Sequence, residues 1–181
     1  MTADSSGSTW LMASFSQDWL RDACAESQRQ GPDHRRREVL FSVCLVESYL
    51  LEFVRDVILR MDVATLEIYF PPDRRRGIEE KFKDVLKHLS KDGRIAEPPA
   101  FGDSVWADFV RLVRMRDDLI HASISRPVQM PAENAPSMDL FAFDAGWAMR
   151  TACSLLLATH QAVKIDAPTW LERPQLLPQE P

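Results

Sequence analysis

Two side chains near the end of one helical segment have the types and spacing to do chemistry together: Arg116 and, five residues on, His121. Arginine grips an anionic phosphate through a planar set of donors and never loses its charge, whereas histidine gives or takes a proton near neutral pH. Those capacities suffice to cleave an RNA backbone without a metal. A base removes the 2′-hydroxyl proton, and a cation steadies the charge that grows on the phosphorane. Pairs at this spacing also arise by chance, so the surrounding pattern decides what this one means.

The segment that must position the pair starts at Asp103 or Ser104, either of which can cap a helix, and runs to about Ala122. At about 100° per residue, Val105, Trp106, Phe109, Val110, Leu112, Val113, Leu119 and Ile120 form one broad apolar face. Arg116 falls near the middle of that face, Asp117 near its edge and His121 just beyond it. An unpaired guanidinium in a core-facing stripe is costly, so something must compensate Arg116. One solution is an ion pair with Asp117, or with Glu47, which lies between the core positions Val46 and Tyr49 of an earlier helix. The other is a cleft in which Arg116 binds an anion beside His121.

The remaining segments read as helices around a common core, giving an all-α bundle of about five helices. The first, about Trp10 to Gln28, places Trp10, Leu11, Phe15, Trp19, Leu20 and Ala23 at three- and four-residue steps and ends before Gly31-Pro32. The second starts after Asp33 as N-cap and repeats apolar residues at 39, 43, 46, 50, 53 and 57, with Leu40, Val54 and Ile58 widening the stripe. It is the central helix. Residues 63–72 read as a connector stopped by Pro71-Pro72. The third helix, about Arg74 to Ser90, carries Ile78, Phe82, Val85 and Leu89, with Gly93 ending it. After the helix that bears Arg116, residues 123–138 form a long loop. A fifth helix, about Leu140 to Val163, is apolar nearly all round, which predicts deep burial or a helix shared with a second subunit. The organisation expected is a polar tail over 1–9, one domain over 10–166 and a proline-rich tail over 167–181.

Composition narrows the function classes. With 27 acidic against 22 basic side chains the formal charge is -5, so any nucleic-acid contact must be local rather than spread over the surface. Basic residues cluster at 35–37, at 74–76 and at Arg111, Arg114 and Arg116; each triplet by itself reads as a solvated face or loop tip. Cys24, Cys44 and Cys153 lack C-x-x-C spacing and read as buried thiols, with no disulfide framework and no zinc site. His34, His88 and His160 lack a second ligand at metal spacing and read as surface or capping residues. Trp10, Trp19, Trp106 and Trp147 fall at core spacing. No apolar run reaches bilayer length and the first residues are not those of a signal peptide, so the expected compartment is the cytoplasm, with no membrane contact. No cofactor and no metal is expected.

The run from Trp106 to His121 resembles the motif helix of HEPN (higher eukaryotes and prokaryotes nucleotide-binding) domains, in which an Arg followed by a polar residue precedes a His at a helix end. The stretch from Val46 to Val54 is similar to the acidic-aromatic part of an earlier helix in those families, and the likeness covers roughly residues 33–163. The resemblance implies an α-helical bundle that dimerises, bringing two Arg-His pairs into one composite cleft that cuts RNA without metal. Arg116 and His121 match the catalytic positions, Asp117 matches the adjacent polar position, and Glu47 is a supporting residue. Toxin or phage-defence members of the family imply an antitoxin or a neighbouring defence protein as partner. Ser123 stands where some toxin members carry a Tyr, so regulation by nucleotide transfer onto that Tyr is not implied. Other members do not cut RNA and serve as interaction or regulatory modules, a reading in which the Arg-His pair is structural.

Overall fold

A computed structural model describes residues 15–55, 77–93, 103–125 and 143–174, and for residues 103 and 121–125 the backbone alone. Among the described residues there are helices and no strand: α1 Ser16–Ser27, α2 Pro32–Glu52, α3 Ile78–Lys91, α4 Asp103–Ser125, α5 Trp147–Val163 and α6 Thr169–Glu172. No helix among them is long and apolar enough to cross a membrane. The tail over 1–9, Trp10, the connector 63–72, Arg74–Arg76 and most of the 123–138 loop lie outside the described residues.

α2 is the hub because its apolar stripe is wide. Val39, Val43, Val46, Leu50 and Phe53 are all buried at 2% exposure or less, and they meet α1, α4 and α5. The helix begins two residues earlier than its pattern suggests. Gly31, at φ 110°, is the N-cap and Pro32 supplies the first turn, leaving Asp33 inside it to pair with Arg36 at 3.1 Å. α1 folds back along α2, with Trp19 stacked on Phe41 at 5.8 Å between ring centres. α3 buries Ile78, Phe82, Val85 and Leu89 against α4, where Phe82 meets Phe109 and Trp106, and it ends at Gly93 with φ 68°.

Further boundaries differ from those expected: α1 starts at Ser16, with Phe15 as N-cap, rather than at about Trp10, and α3 at Ile78, with Gly77 as N-cap, rather than at about Arg74. α5 starts at Trp147 rather than Leu140, because Gly146 takes a left-handed conformation (φ 78°) that breaks the apolar run. A Cβ there would come within 2.7 Å of Arg150 Nη1. α4 continues to Ser125, three residues past the expected end. The packed region also runs past 166: α6 buries Leu171 to 1% and sets Trp170 edge-on to Tyr49, so residues 167–174 belong to the fold and are no tail. α5 is the most enclosed helix, covered by α1, α2, α4 and α6 of the same chain. Its apolarity is thus accounted for without a second subunit.

Candidate functional site

α4 carries Arg116 on its inward face between Leu112 and Val113, which are 0% and 4% exposed, and Leu119. That placement forces pairing, and both carboxylates named by the sequence supply it. Arg116 Nη2 lies 3.5 Å from Glu47 Oε1 of α2, and Nε lies 3.1 Å from Asp117 Oδ1. The second contact is ionic only: Nε is buried yet makes no hydrogen bond, since its N–H does not point at the carboxylate. The cluster is also open to water, with side-chain exposures of 21% for Arg116, 39% for Glu47 and 50% for Asp117. Arg116 is therefore held, but neither sealed in nor fully saturated.

Cys44, three residues before Glu47 on α2, borders the same cluster. Burial pushes its thiol up, Glu47 pushes the same way, and Arg116 opposes both. His121 lies on α4, whose backbone stays helical through it; its side chain is outside the described residues. Five residues of helix separate positions 116 and 121 by roughly 140° around the axis. The two positions diverge within one chain.

The other basic clusters divide. In the first triplet, Arg35 pairs with Glu38 at 2.9 Å, Arg36 with Asp33, and Arg37 approaches Glu26 at 3.9 Å, so that group is neutralised locally. Arg111 and Arg114 instead face solvent on α4, and Arg111 lies over the Trp147 ring at 4.9 Å.

Two polar sites escaped the sequence reading. Glu38, 0% exposed, accepts the backbone N–H groups of Gly146, Ala148 and Met149 at 3.3, 3.0 and 3.4 Å, capping α5 from another helix. Its signal was a carboxylate next to Val39 with Arg35 one turn earlier. His160 is 2% exposed, a correction to its reading as a surface or capping residue. His160 Nδ1 donates to the Ile165 carbonyl at 3.1 Å, so in the neutral ring Nε2 accepts from the Tyr49 hydroxyl at 2.7 Å. Burial lowers the His160 pKa, against weaker opposing effects of the Ile165 and Asp166 backbone and of Glu172. Burial, with Glu52 nearby, pushes the Tyr49 hydroxyl up.

His34 is half-buried and pairs with Glu26 at 2.6 Å. Cys24 and Cys153 are free thiols pushed up by burial to about 11 and about 12, and Cys24 Sγ sits 3.0 Å from Met149 Sδ. Among the described residues no group of three or more His, Cys, Asp or Glu side chains could hold a metal ion. Comparison of the chain with family models, with curated proteins and with solved structures finds no match.

Proposed function

We propose that this chain is a HEPN-like domain that cleaves RNA without a metal, Arg116 steadying the phosphate and His121 moving the proton. The observation that carries this reading is the state of Arg116: a cation set into the inward face of α4, restrained by two carboxylates, still 21% exposed and with an unbonded Nε proton. A guanidinium so held has its orientation fixed before substrate arrives, and exchanging solvent-open carboxylates for a phosphate costs little. In the step proposed, His121 takes the 2′-hydroxyl proton and the 2′-oxygen attacks phosphorus. The bond to the 5′-oxygen then breaks, and that oxygen takes up a proton, leaving a 2′,3′-cyclic phosphate and a 5′-hydroxyl.

The roughly 140° between the two positions argues that a working cleft draws on two chains, so the active form we propose is a homodimer. Ile120, 40% exposed at the same end of α4, supplies an apolar element for such a contact. The biological setting that fits is a cytoplasmic toxin or phage-defence component, with an antitoxin or neighbouring defence protein as regulator. A second reading has a specific observation behind it. Glu47 and Asp117 already engage Arg116, as they would in an interaction or regulatory module that never cuts RNA.

The deciding experiment is incubation of the purified chain with total RNA in EDTA. Cleavage is expected, with a rate that rises with pH through roughly 6 to 7, where an imidazole base loses its proton. His121→Ala should abolish it. Arg116→Lys should abolish it too, since an ammonium does not reproduce the two-point grip on phosphate. A parent protein without RNase activity sinks the proposal.

A further inference from the structure

On the side of α4 away from Arg116, Arg111 and Arg114 stand exposed one turn apart, and neither closes an ion pair among the described residues. Asp108 and Asp118 flank them on the same helix without pairing to either. In a chain with a net charge of -5 that is notable, because the arginines at 35–37 are all turned toward carboxylates. Arg111 is not loose, however. Its guanidinium carbon sits 4.9 Å from the centre of the half-buried Trp147 ring, which in turn packs on Phe143 at 5.2 Å. Trp147 is the first residue of α5, and the Glu38 cap on the N–H groups of the next two residues fixes where that ring stands. Arg150, one turn on, is exposed and donates to the Ala145 carbonyl instead of to a carboxylate.

We infer that this layered strip, Arg111 over Trp147 with Arg114 beside it, is a landing surface for single-stranded RNA. A guanidinium held over an aromatic ring offers its outer side to a nucleobase, and a neighbouring arginine takes the following phosphate. A duplex hides its base faces and cannot use the stack. The inference rests on the proposed reading of the chain as an RNA-acting protein and names how the strand is led toward His121, since positions 114 and 121 lie seven residues apart on one side of α4, with Arg116 supplied across the proposed dimer.

The test measures fluorescence anisotropy of a labelled oligoadenosine with 2′-O-methyl riboses, which binds but offers no 2′-hydroxyl to cleave. Wild type should bind it more tightly than the same strand in a duplex. The double variant Arg111→Ala/Arg114→Ala should weaken binding roughly tenfold and flatten the log–log salt dependence by about 0.7, the one phosphate contact assigned to Arg114. Arg111→Lys should weaken binding more than Arg114→Lys, because only the former position needs a planar group. Both side chains are exposed, so these variants should keep the parent circular dichroism spectrum. No binding by wild type, an unchanged double variant, or equal displacement by polyglutamate would overturn the strip. The two proposals fail separately. A parent that cuts unmodified RNA with a KM unaltered in the double variant removes the strip and leaves the nuclease, whereas arginine-dependent binding without any cleavage removes the nuclease and leaves the strip.

Discussion

Glu38 and Glu47 sit nine residues apart on the same helix, each near an arginine, and the structure treats them in opposite ways. Glu38 is fully enclosed, 2.9 Å from Arg35 and bonded to three backbone N–H groups of α5. Glu47 is 39% exposed and reaches Arg116 only at 3.5 Å. A dry carboxylate has to be satisfied on every side or the fold fails, whereas a wet one can exchange partners at little cost. The first kind joins helices together. The second kind leaves a cation that something else can use.

The sharpest way to break this contrast is Glu38→Ala. It strands three N–H groups and leaves the Arg35 guanidinium only the Arg29 carbonyl, and should lower the unfolding free energy by roughly 3 to 5 kcal/mol, read from chemical denaturation. A loss below about 1 kcal/mol would mean that water replaces the carboxylate and that the two sites do not differ in kind.

Tyr49→Phe should come next, at about 1 to 1.5 kcal/mol, because it removes the donor to His160 Nε2 and leaves that buried acceptor unmatched. The same site makes stability sensitive to acid. The folded pKa of His160 is lowered below its ordinary 6.5, so the unfolded chain takes up the proton first. The contribution is complete above about 6.5 and is lost as pH falls through the lower folded value. Glu172, where ionised, softens the effect. Denaturation midpoints measured from pH 7.5 downward should therefore decline in the parent and decline less in His160→Gln; parallel curves would remove His160 as the cause.

The smallest effect belongs to the open cluster. Arg116→Met should change stability by less than roughly 1 kcal/mol, and Glu47→Gln by less again, since Asp117 remains beside Arg116. A loss on the scale expected for Glu38→Ala would show that Arg116 is a structural ion and favour the non-cutting module.

What could be read from the sequence followed from local periodicity. The stripe at 39, 43, 46, 50 and 53 marked α2 as the hub, and Ile78, Phe82, Val85 and Leu89 marked α3, because each helix repeats its contacts every turn. The Arg116–Glu47 pair was also legible, since a carboxylate beside core positions on a central helix has few places to go. The start of α5 was not: Phe141 and Phe143 continue the apolar pattern across a turn whose cap comes from Glu38, 108 residues away from Gly146. His160 was misread for the same reason, its partner Tyr49 lying 111 residues off. The prolines near α6 suggested irregular chain, yet Pro168 stands at its N-cap position with Leu171 anchored in the core.

The Glu38 cap also sets an order of events when the chain is made. α1 and α2 are joined by a short turn and can dock as soon as both have left the ribosome, but the groups that satisfy Glu38 are synthesised 108 to 111 residues later. At ordinary elongation rates that interval lasts roughly 5 to 20 s. Throughout it the carboxylate has Arg35 and solvent as its only partners, so the early hairpin must stay wet at its base. Closure waits for α5, and with it the placement of Trp147 beneath Arg111. The proposed RNA surface thus comes into being late in translation, after the helix bearing Arg116 has already been made.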